Sequence, residues 1–393
     1  MNYWTKLIPY WFFLFTIGFG WFILAPLDPI LAAYLKASPT AIIVIIDAYG
    51  YAMAVIGLLA GYLASRITVK VTLYASMALS AIGLLGRAII SDYSGFLLFA
   101  LLGASAYPLA LAPVGSISSS INKERSHTII GISVGILFIG LAAGDFGGSG
   151  LYSIIGLRST LLVPFFLSLV AAVFLVFTLG GYPRYYRGKN LKGSFRPGML
   201  RNWWVGFTVA SLSVMFGAIA ATSLENLHGF SIGISISYSG LLGGLAFLGS
   251  GLGAILLPPL MEISDRLRKG LVFTALLSFV SIAFLLTSFV FSRFIDMMAI
   301  GFFAFGFFGN AYWSMALTSV TKYADDPAAS GLATSMYSVI ANAGVSIVPV
   351  LLGPLFYTHL YAIYGTAIVV IMVLLAATVS PFLKVKPDIG KKQ

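Results

Sequence analysis

Four acidic residues lie inside long apolar runs of the sequence: Asp28, Asp47, Asp145 and Glu225. An ionisable group inside a lipid bilayer is costly unless it faces a cavity or a partner, so each is a candidate functional residue. A carboxyl group in poorly solvated surroundings has its charged form disfavoured. It can therefore load a proton on one side of a membrane and release it on the other. These residue types predict proton coupling; the alternative is that the acids stabilise helix contacts or lie in a wet vestibule.

The elements that must position these acids are membrane-spanning helices. Hydrophobic residues make up 59% of the 393 residues and charged residues 9%, against roughly 25% charged in soluble domains. One span needs about 20 apolar residues, and apolar runs of this length exclude the short strands of a membrane barrel. The sequence predicts an all-α membrane protein with twelve spans, at residues 8–34, 40–64, 69–90, 94–120, 128–154, 159–180, 203–226, 234–261, 270–292, 295–321, 328–357 and 361–383.

The basic residues are strongly biased to one end of these predicted spans. Of the 23 lysines and arginines, all but Lys36, Arg87, Arg158 and Arg293 lie at the end that carries both termini. Because cytoplasmic loops carry an excess of lysine and arginine, the bias predicts cytoplasmic termini and a multi-pass protein of the plasma membrane. The same bias accounts for the net charge of +11, so we expect no nucleic-acid partner.

The chain divides into two similar halves. Residues 61–70 read GYLASRITVK, and residues 261–270 read MEISDRLRKG in an equivalent setting after the second span of the other half. The longest polar stretch lies between the halves. We therefore predict an N-terminal six-helix bundle at residues 1–180, a basic cytoplasmic linker at residues 181–202, and a C-terminal six-helix bundle with a short basic tail at residues 203–393.

These paired loops resemble the major facilitator superfamily, whose loop after span 2 reads close to G-x-L-a-D-R-x-G-R-K. Gly61 and Arg66 match it in the first copy, where Ser65 replaces the aspartate, and Asp265 and Arg266 match it in the second. The resemblance covers essentially the whole chain and implies two pseudo-symmetric bundles that rock about a central site. It also implies a cytoplasmic gate at the four matching residues; the alternative is that their charges only set topology.

Span 5 is similar to the antiporter motif of that family. Asp145 replaces the proline of the motif, and three glycines fall on it: Gly135, Gly144 and Gly148. Such glycines favour close helix packing. Drug–proton antiporters of the family also carry an arginine in span 4, where this chain has Phe99. The sequence therefore disfavours a standard drug exporter of the proton-antiport type.

The resemblance implies that spans 1, 4, 7 and 10 line the central cavity. These spans and span 11 offer a set of aromatic and amide side chains: Trp21, Tyr107, Asn310, Tyr312, Trp313 and Asn342. Aromatic rings with a few polar groups suit an organic ligand, although the same residues could serve packing. The predicted spans place no lysine or arginine as deep as the acids, which favours a neutral or cationic solute.

Several other classes are disfavoured by missing motifs. The chain has no phosphate-binding loop, no H-E-x-x-H zinc motif and no cysteine, so we expect no cofactor or metal. It lacks the G-x-G-D motif of intramembrane aspartyl proteases, so we expect no enzyme.

We expect a monomeric secondary transporter in the lipid bilayer. It moves a small organic solute by alternating access, and this movement is coupled to the movement of protons. An uncoupled facilitator, a drug exporter, and a channel or receptor on the same fold remain the alternatives.

Overall fold

A computed structural model provides the structure of the chain and describes residues 3–66, 68–114, 117, 126–182, 196–263, 266–323 and 327–385. The elements in these residues are helices. The α-helices run from Tyr3–Phe22, Asp28–Leu35, Pro39–Ile46, Ala48–Arg66, Val69–Ile89, Tyr93–Ala104, Ala106–Leu111, Ser126–Thr178, Met199–His228, Ile232–Ile263, Leu267–Phe291, Ile295–Thr321, Pro327–Leu352 and His359–Thr378. Short 3-10 turns lie at Ala25–Leu27, Leu179–Gly181, Gly353–Tyr357 and Ser380–Phe382.

These helices account for the twelve predicted spans. Ten helices in the described residues are long and apolar enough to cross a membrane, or eleven with the bent pair Pro39–Ile46 and Ala48–Ala64. One of them, Ser126–Thr178, has 53 residues, which is about 80 Å at 1.5 Å per residue. Gly156 interrupts it with φ 73° and ψ 172°, a backbone conformation open to glycine. Because the hydrocarbon layer is only about 30 Å thick, this helix is spans 5 and 6 joined at Gly156.

In the predicted topology, each span has one end on each side of the membrane. We call the level of Tyr3, Thr178 and Met199 the linker end, and the opposite level, with Leu35 and His228, the far end. Polar side chains cap several helices at these levels. Thr68 Oγ1 accepts a hydrogen bond from the Val71 amide at 3.1 Å, and Asp92 Oδ1 accepts one from the Gly95 amide at 2.8 Å. Such caps satisfy amides at the start of a helix that have no helical partner.

The most extensive contacts between the two halves run along two helix pairs, span 5 with span 8 and span 2 with span 11. Glycines permit these contacts along their whole length. A Cβ atom at Gly131, near the linker end, would lie 3.3 Å from the Ala254 carbonyl oxygen. At Gly243, towards the far end, a Cβ atom would lie 2.5 Å from Asp145 Oδ2. Spans 5 and 8 are therefore in close contact both near the linker end and towards the far end.

Three spans that the sequence predicts as continuous are broken in the structure. Span 1 breaks after Phe22, span 2 at Asp47 and span 4 at Ser105. In spans 1 and 4 the cause is proline: Pro26 and Pro108 lack the N–H that would bond the carbonyl four residues earlier. Span 2 has no proline at its break, so its bend has a tertiary cause, described below. The predicted linker lies largely outside the described residues.

Candidate functional site

Each of the three breaks lies beside an aromatic ring. Trp21 precedes the break in span 1, Tyr49 follows the break in span 2, and Tyr107 follows the break in span 4. The rings of Trp21 and Tyr49 are stacked, with centroids 4.9 Å apart and planes 7° apart. The Tyr107 ring lies 5.4 Å from Trp21 and 6.5 Å from Tyr49. We call these three residues the aromatic cluster. Sequence reasoning missed Tyr49, whose only signal was its position two residues after Asp47.

The indole of Trp21 explains the bend in span 2. Its Nε1 donates a hydrogen bond of 2.8 Å to the Ile46 carbonyl, at the end of helix Pro39–Ile46. A side chain that inserts into the hydrogen-bond ladder of a helix is a common cause of a kink. The aromatic cluster also contacts the other half of the molecule. Tyr107 and Asn342 of span 11 lie close enough for their side chains to interact, and Asn342 Nδ2 donates to the Ser338 carbonyl at 2.8 Å.

Arg87 lies deep in the molecule. Its side chain is 1% exposed, and Nη2 donates a hydrogen bond of 2.8 Å to the Gly20 carbonyl. The expectation that no lysine or arginine lies deep was therefore wrong. Helical side chains lean towards the N-terminus of their helix. Arg87 sits in the last turn of Val69–Ile89, so its guanidinium extends inward from the far end rather than outward.

The carboxyl group of Asp28 joins the two halves. Asp28 is 1% exposed, and its Oδ2 accepts a hydrogen bond of 2.6 Å from Thr222 Oγ1 in span 7. Asp28 Oδ1 has no hydrogen-bond partner among the described residues. Glu225, one turn from Thr222, is half-buried and lies close enough to Asp28 for their charges to interact. The structure thus brings two of the predicted acids together towards the far end.

Asp47 and Asp145 are fully buried, and within the described chain none of their carboxyl oxygens has a hydrogen-bond partner. Asp47 occupies the break in span 2. Asp145 faces span 8, where the backbone of Gly243 leaves room for its carboxyl group. A buried carboxylate without donors or a counter-ion would cost several kcal/mol. Both residues therefore lie in surroundings suited to an uncharged carboxyl group.

The glycines of span 5 serve close helix packing. A Cβ atom at Gly144 would lie 2.7 Å from the Phe19 carbonyl oxygen, and one at Gly148 would lie 2.6 Å from the Ile23 carbonyl oxygen. Gly135 faces the backbone of Gly251 in span 8, where the corresponding distance is 3.0 Å. Span 5 therefore packs against span 1 in its own half and against span 8 in the other.

The remaining predicted cavity residues are dispersed. Asn310 Nδ2 donates hydrogen bonds to Ser213 Oγ at 3.1 Å and Ser250 Oγ at 2.7 Å, inside the C-terminal half. The Tyr312 hydroxyl donates to the Ala376 carbonyl of span 12 at 2.6 Å, which directs it away from the aromatic cluster. Trp313 lies between the halves, with its ring 6.3 Å from that of Phe138 in span 5. Cavity roles for Asn310 and Tyr312 stay predictions.

A cleft between the halves approaches the aromatic cluster from the linker end. It is lined by residues of spans 2, 4, 5, 10 and 11, including Met53, Gly57, Leu111, Val134, Trp313, Ser335 and Ser338. Met53 and Leu111 stand four residues after Tyr49 and Tyr107 respectively, about 6 Å along a helix. The cleft therefore ends about one helical turn from the aromatic cluster.

The predicted gate residues are only partly described. A Cβ atom at Gly61 would lie 2.7 Å from Ser335 Oγ of span 11, so the two halves approach closely there. Arg266 is exposed, and its amide donates to the Met261 carbonyl at 3.0 Å. The side chain of Arg66 and all of Asp265 lie outside the described residues, so the gate stays a prediction. Among the described residues, no three metal-binding side chains cluster.

Comparisons with known proteins place this geometry among known folds. The sequence profile described as Major Facilitator Superfamily matches residues 10–232 and 204–393. The crystal structure of a mutant of the nucleoside transporter NupG superposes with a TM-score of 0.73, covering 95% of this chain and 98% of that chain at 16% sequence identity. At this identity the likeness establishes a shared fold. A search of curated proteins finds no match.

Proposed function

The chain belongs to the Major Facilitator Superfamily, and on this premise we propose that it moves a small organic solute by alternating access, coupled to protons through Asp28. Membership indicates a multi-pass membrane transporter of small molecules, a class of protein that is generally not enzymatic. The observation that carries the proton coupling is the hydrogen bond of 2.6 Å between Thr222 and Asp28. It puts a buried carboxyl group at a contact that must break when the two halves separate at the far end.

The coupling follows from what each conformation offers the Asp28 carboxyl. In the closed state the group is shielded from water, and Thr222 is the donor to Oδ2. When the far end opens, spans 1 and 7 part and water reaches the carboxyl, which then exchanges its proton with the solvent on that side. The buried acids Asp47 and Asp145 are further candidates for coupling, and Glu225 is a neighbour whose charge acts on Asp28.

The solute site of this proposal is the aromatic cluster. Rings of this kind stack on planar ligands, and ligand sites of membrane transporters lie where discontinuous helices break near the midplane. Asn342 adds an amide from the other half, next to Tyr107. The structural neighbour NupG is a nucleoside transporter. A planar heterocyclic solute, such as a nucleoside, is therefore the first class to test.

The remaining parts of the proposal concern topology and assembly. The bias of basic residues to the linker end supports cytoplasmic termini and a plasma-membrane location. Two domains at residues 1–180 and 203–393, joined by a cytoplasmic linker at residues 181–202, complete the arrangement. A monomer is sufficient, because the aromatic cluster and all four acids lie within one chain.

Purified protein in liposomes that contain an internal pH dye would test the proposal. Nucleosides, sugars, amines and organic acids would be added outside in turn. A pH change that depends on one of these solutes supports coupled transport and identifies its class. Saturable equilibration of labelled solute without any pH change supports the facilitator. Flux that does not saturate and shows no counterflow would contradict transport by alternating access.

A further inference from the structure

Arg87 is a permanent positive charge in the interior of the N-terminal half. A guanidinium is always protonated in proteins, and a buried charge without a partner is costly. Arg87 Nη2 bonds the Gly20 carbonyl at 2.8 Å, while Nε has no hydrogen-bond partner in the described part of the chain. Among the described residues, the titratable neighbour that interacts with its charge is Tyr49. None of the buried acids therefore neutralises Arg87 in this conformation.

The break in span 1 accounts for the position of this charge. Gly20 lies in the last turn of helix Tyr3–Phe22, where carbonyl groups have no partner within the helix. The C-terminus of a helix also carries a partial negative charge, which favours a cation beside it. Arg87 supplies both a donor and a cation to a helix end that lies within the membrane.

The same arrangement puts the guanidinium beside the aromatic cluster. Gly20 directly precedes Trp21, and the Arg87 charge interacts with Tyr49. Trp21 and Tyr49 are the stacked pair of the cluster. A fixed positive charge in surroundings of low dielectric constant repels a cation and attracts an anion much more strongly than it would in water.

We propose that Arg87 sets the charge of the solute that the aromatic cluster accepts. Neutral solutes rich in hydrogen-bond acceptors, and singly anionic solutes, are admitted, and organic cations are excluded. This replaces the expectation of a neutral or cationic solute, which assumed that no deep cation exists. The inference rests on the proposed function, because it takes the aromatic cluster as the solute site.

The electrostatic potential at the cluster can be measured without knowing the solute. The chain has no cysteine, so Met53→Cys places a single thiol in the cleft, one turn from Tyr49. The rates at which this thiol reacts with an anionic and with a cationic methanethiosulfonate reagent would be measured. The anion-to-cation rate ratio would then be divided by the same ratio for free 2-mercaptoethanol, which gives the normalised ratio. Changes in thiol reactivity affect both reagents alike and cancel in this ratio.

We expect a normalised anion-to-cation ratio well above one in the Met53→Cys protein. Adding Arg87→Gln should lower this ratio at least about fivefold. Arg293→Gln, at an exposed far-end position, is the matched control and should leave it unchanged. A ratio at or below one in the Met53→Cys protein would overturn the inference. Because Arg87 is intact in that protein, this measurement does not depend on whether any Arg87 variant folds.

A second arm separates this inference from the proposed function. Uridine, its 5′-amino analogue and its 5′-carboxylate analogue would compete for labelled solute in the parent protein. Binding of uridine and the carboxylate, with the amine at least about tenfold weaker, supports both proposals. Equal binding of all three overturns the role of Arg87 and leaves the proposed solute class intact. If none of the three binds, the nucleoside class fails and the thiol measurement still decides the role of Arg87.

Discussion

The two halves of the molecule share one fold but hold their polar groups differently. In the N-terminal half, spans 1, 2 and 4 are broken, and a ring of the aromatic cluster stands beside each break. Their counterparts in the other half are the unbroken helices Met199–His228, Ile232–Ile263 and Ile295–Thr321. Broken helices expose backbone carbonyls and create space for ligands, whereas unbroken helices present continuous surfaces. We therefore assign the proposed solute and proton sites to the N-terminal half and a supporting role to the C-terminal half.

The polar side chains follow the same division. The buried residues Asp28, Asp47, Asp145 and Arg87 all belong to the N-terminal half. Apart from His228, the buried polar side chains in the described C-terminal half are uncharged, and Asn310 among them bonds two serines. A neutral network costs little to bury when it is satisfied, and it does not respond to pH.

The C-terminal half contributes to the site through contacts. Thr222 donates to Asp28, the Asn342 side chain lies next to that of Tyr107, and Gly243 makes room for Asp145. Each contact joins a residue of the proposed site in one half to a partner in the other. Rocking of the halves would make or break all of these contacts, which is how one movement could alter both the acids and the solute site.

The largest effect is expected from Asp28→Asn, which keeps the size of the side chain but cannot carry a proton. One proton coupled to each solute lets a gradient of one pH unit support about a tenfold ratio of solute concentrations across the membrane. A gradient of two pH units therefore supports about 100-fold accumulation. We expect the variant to lose this accumulation and to keep exchange of labelled solute across the membrane. Uptake into liposomes would measure the accumulation, and counterflow would measure the exchange. Asp92→Asn, at an exposed helix cap, is the control; full accumulation by Asp28→Asn would remove the coupling assignment.

Gly243→Ala should have the next largest effect, because its methyl group would collide with the Asp145 carboxyl. Overpacking of this kind costs about 1–3 kcal/mol, and we expect it to slow turnover about tenfold by disfavouring closure of the far end. Transport rates at saturating solute would measure this. Gly233→Ala, where an added Cβ atom meets open space, should be neutral. Equal rates for the two variants would show that this contact between the halves does not limit transport.

Asn310→Ala tests the supporting role of the C-terminal half. The change leaves Ser213 and Ser250 without their buried amide partner and should cost about 1–3 kcal/mol of stability. We expect a lower Tm in detergent and a KM within about twofold of the parent, because Asn310 bonds only within its own half. A raised KM with an unchanged Tm would instead make Asn310 a solute-binding residue.

Trp21→Phe should have the smallest effect. It keeps a ring in the aromatic cluster but removes the donor to the Ile46 carbonyl at the bend of span 2. Loss of one hydrogen bond is worth about 1 kcal/mol, so we expect KM to rise about fivefold. Trp203→Phe, outside the cluster and near the linker end, is the matched control. A change of the same size in both variants would show that the indole of Trp21 has no special place in the site.

Sequence reasoning could predict the span count and the paired halves, since apolar runs and basic loops are local features. It could also single out Asp28 and Trp21 from their chemistry inside apolar runs. The break at Asp47 could not be predicted, because the cause is an indole from another span. The depth of Arg87 was also missed, because it depends on which way a long side chain leans. The outward direction of Tyr312 depends on the rotation of span 10 about its axis, which composition does not fix.

The most direct test of the division between the halves is the number of protons moved per solute in two matched variants. Asp28→Asn and Asn310→Ala would be reconstituted in parallel, and proton and solute fluxes measured in the same liposomes. The account predicts no proton movement with solute in Asp28→Asn and the parent ratio in Asn310→Ala, even where its Tm falls. A parent ratio in Asp28→Asn would contradict the assignment of coupling to Asp28, and a lost ratio in Asn310→Ala alone would contradict the supporting role of the C-terminal half.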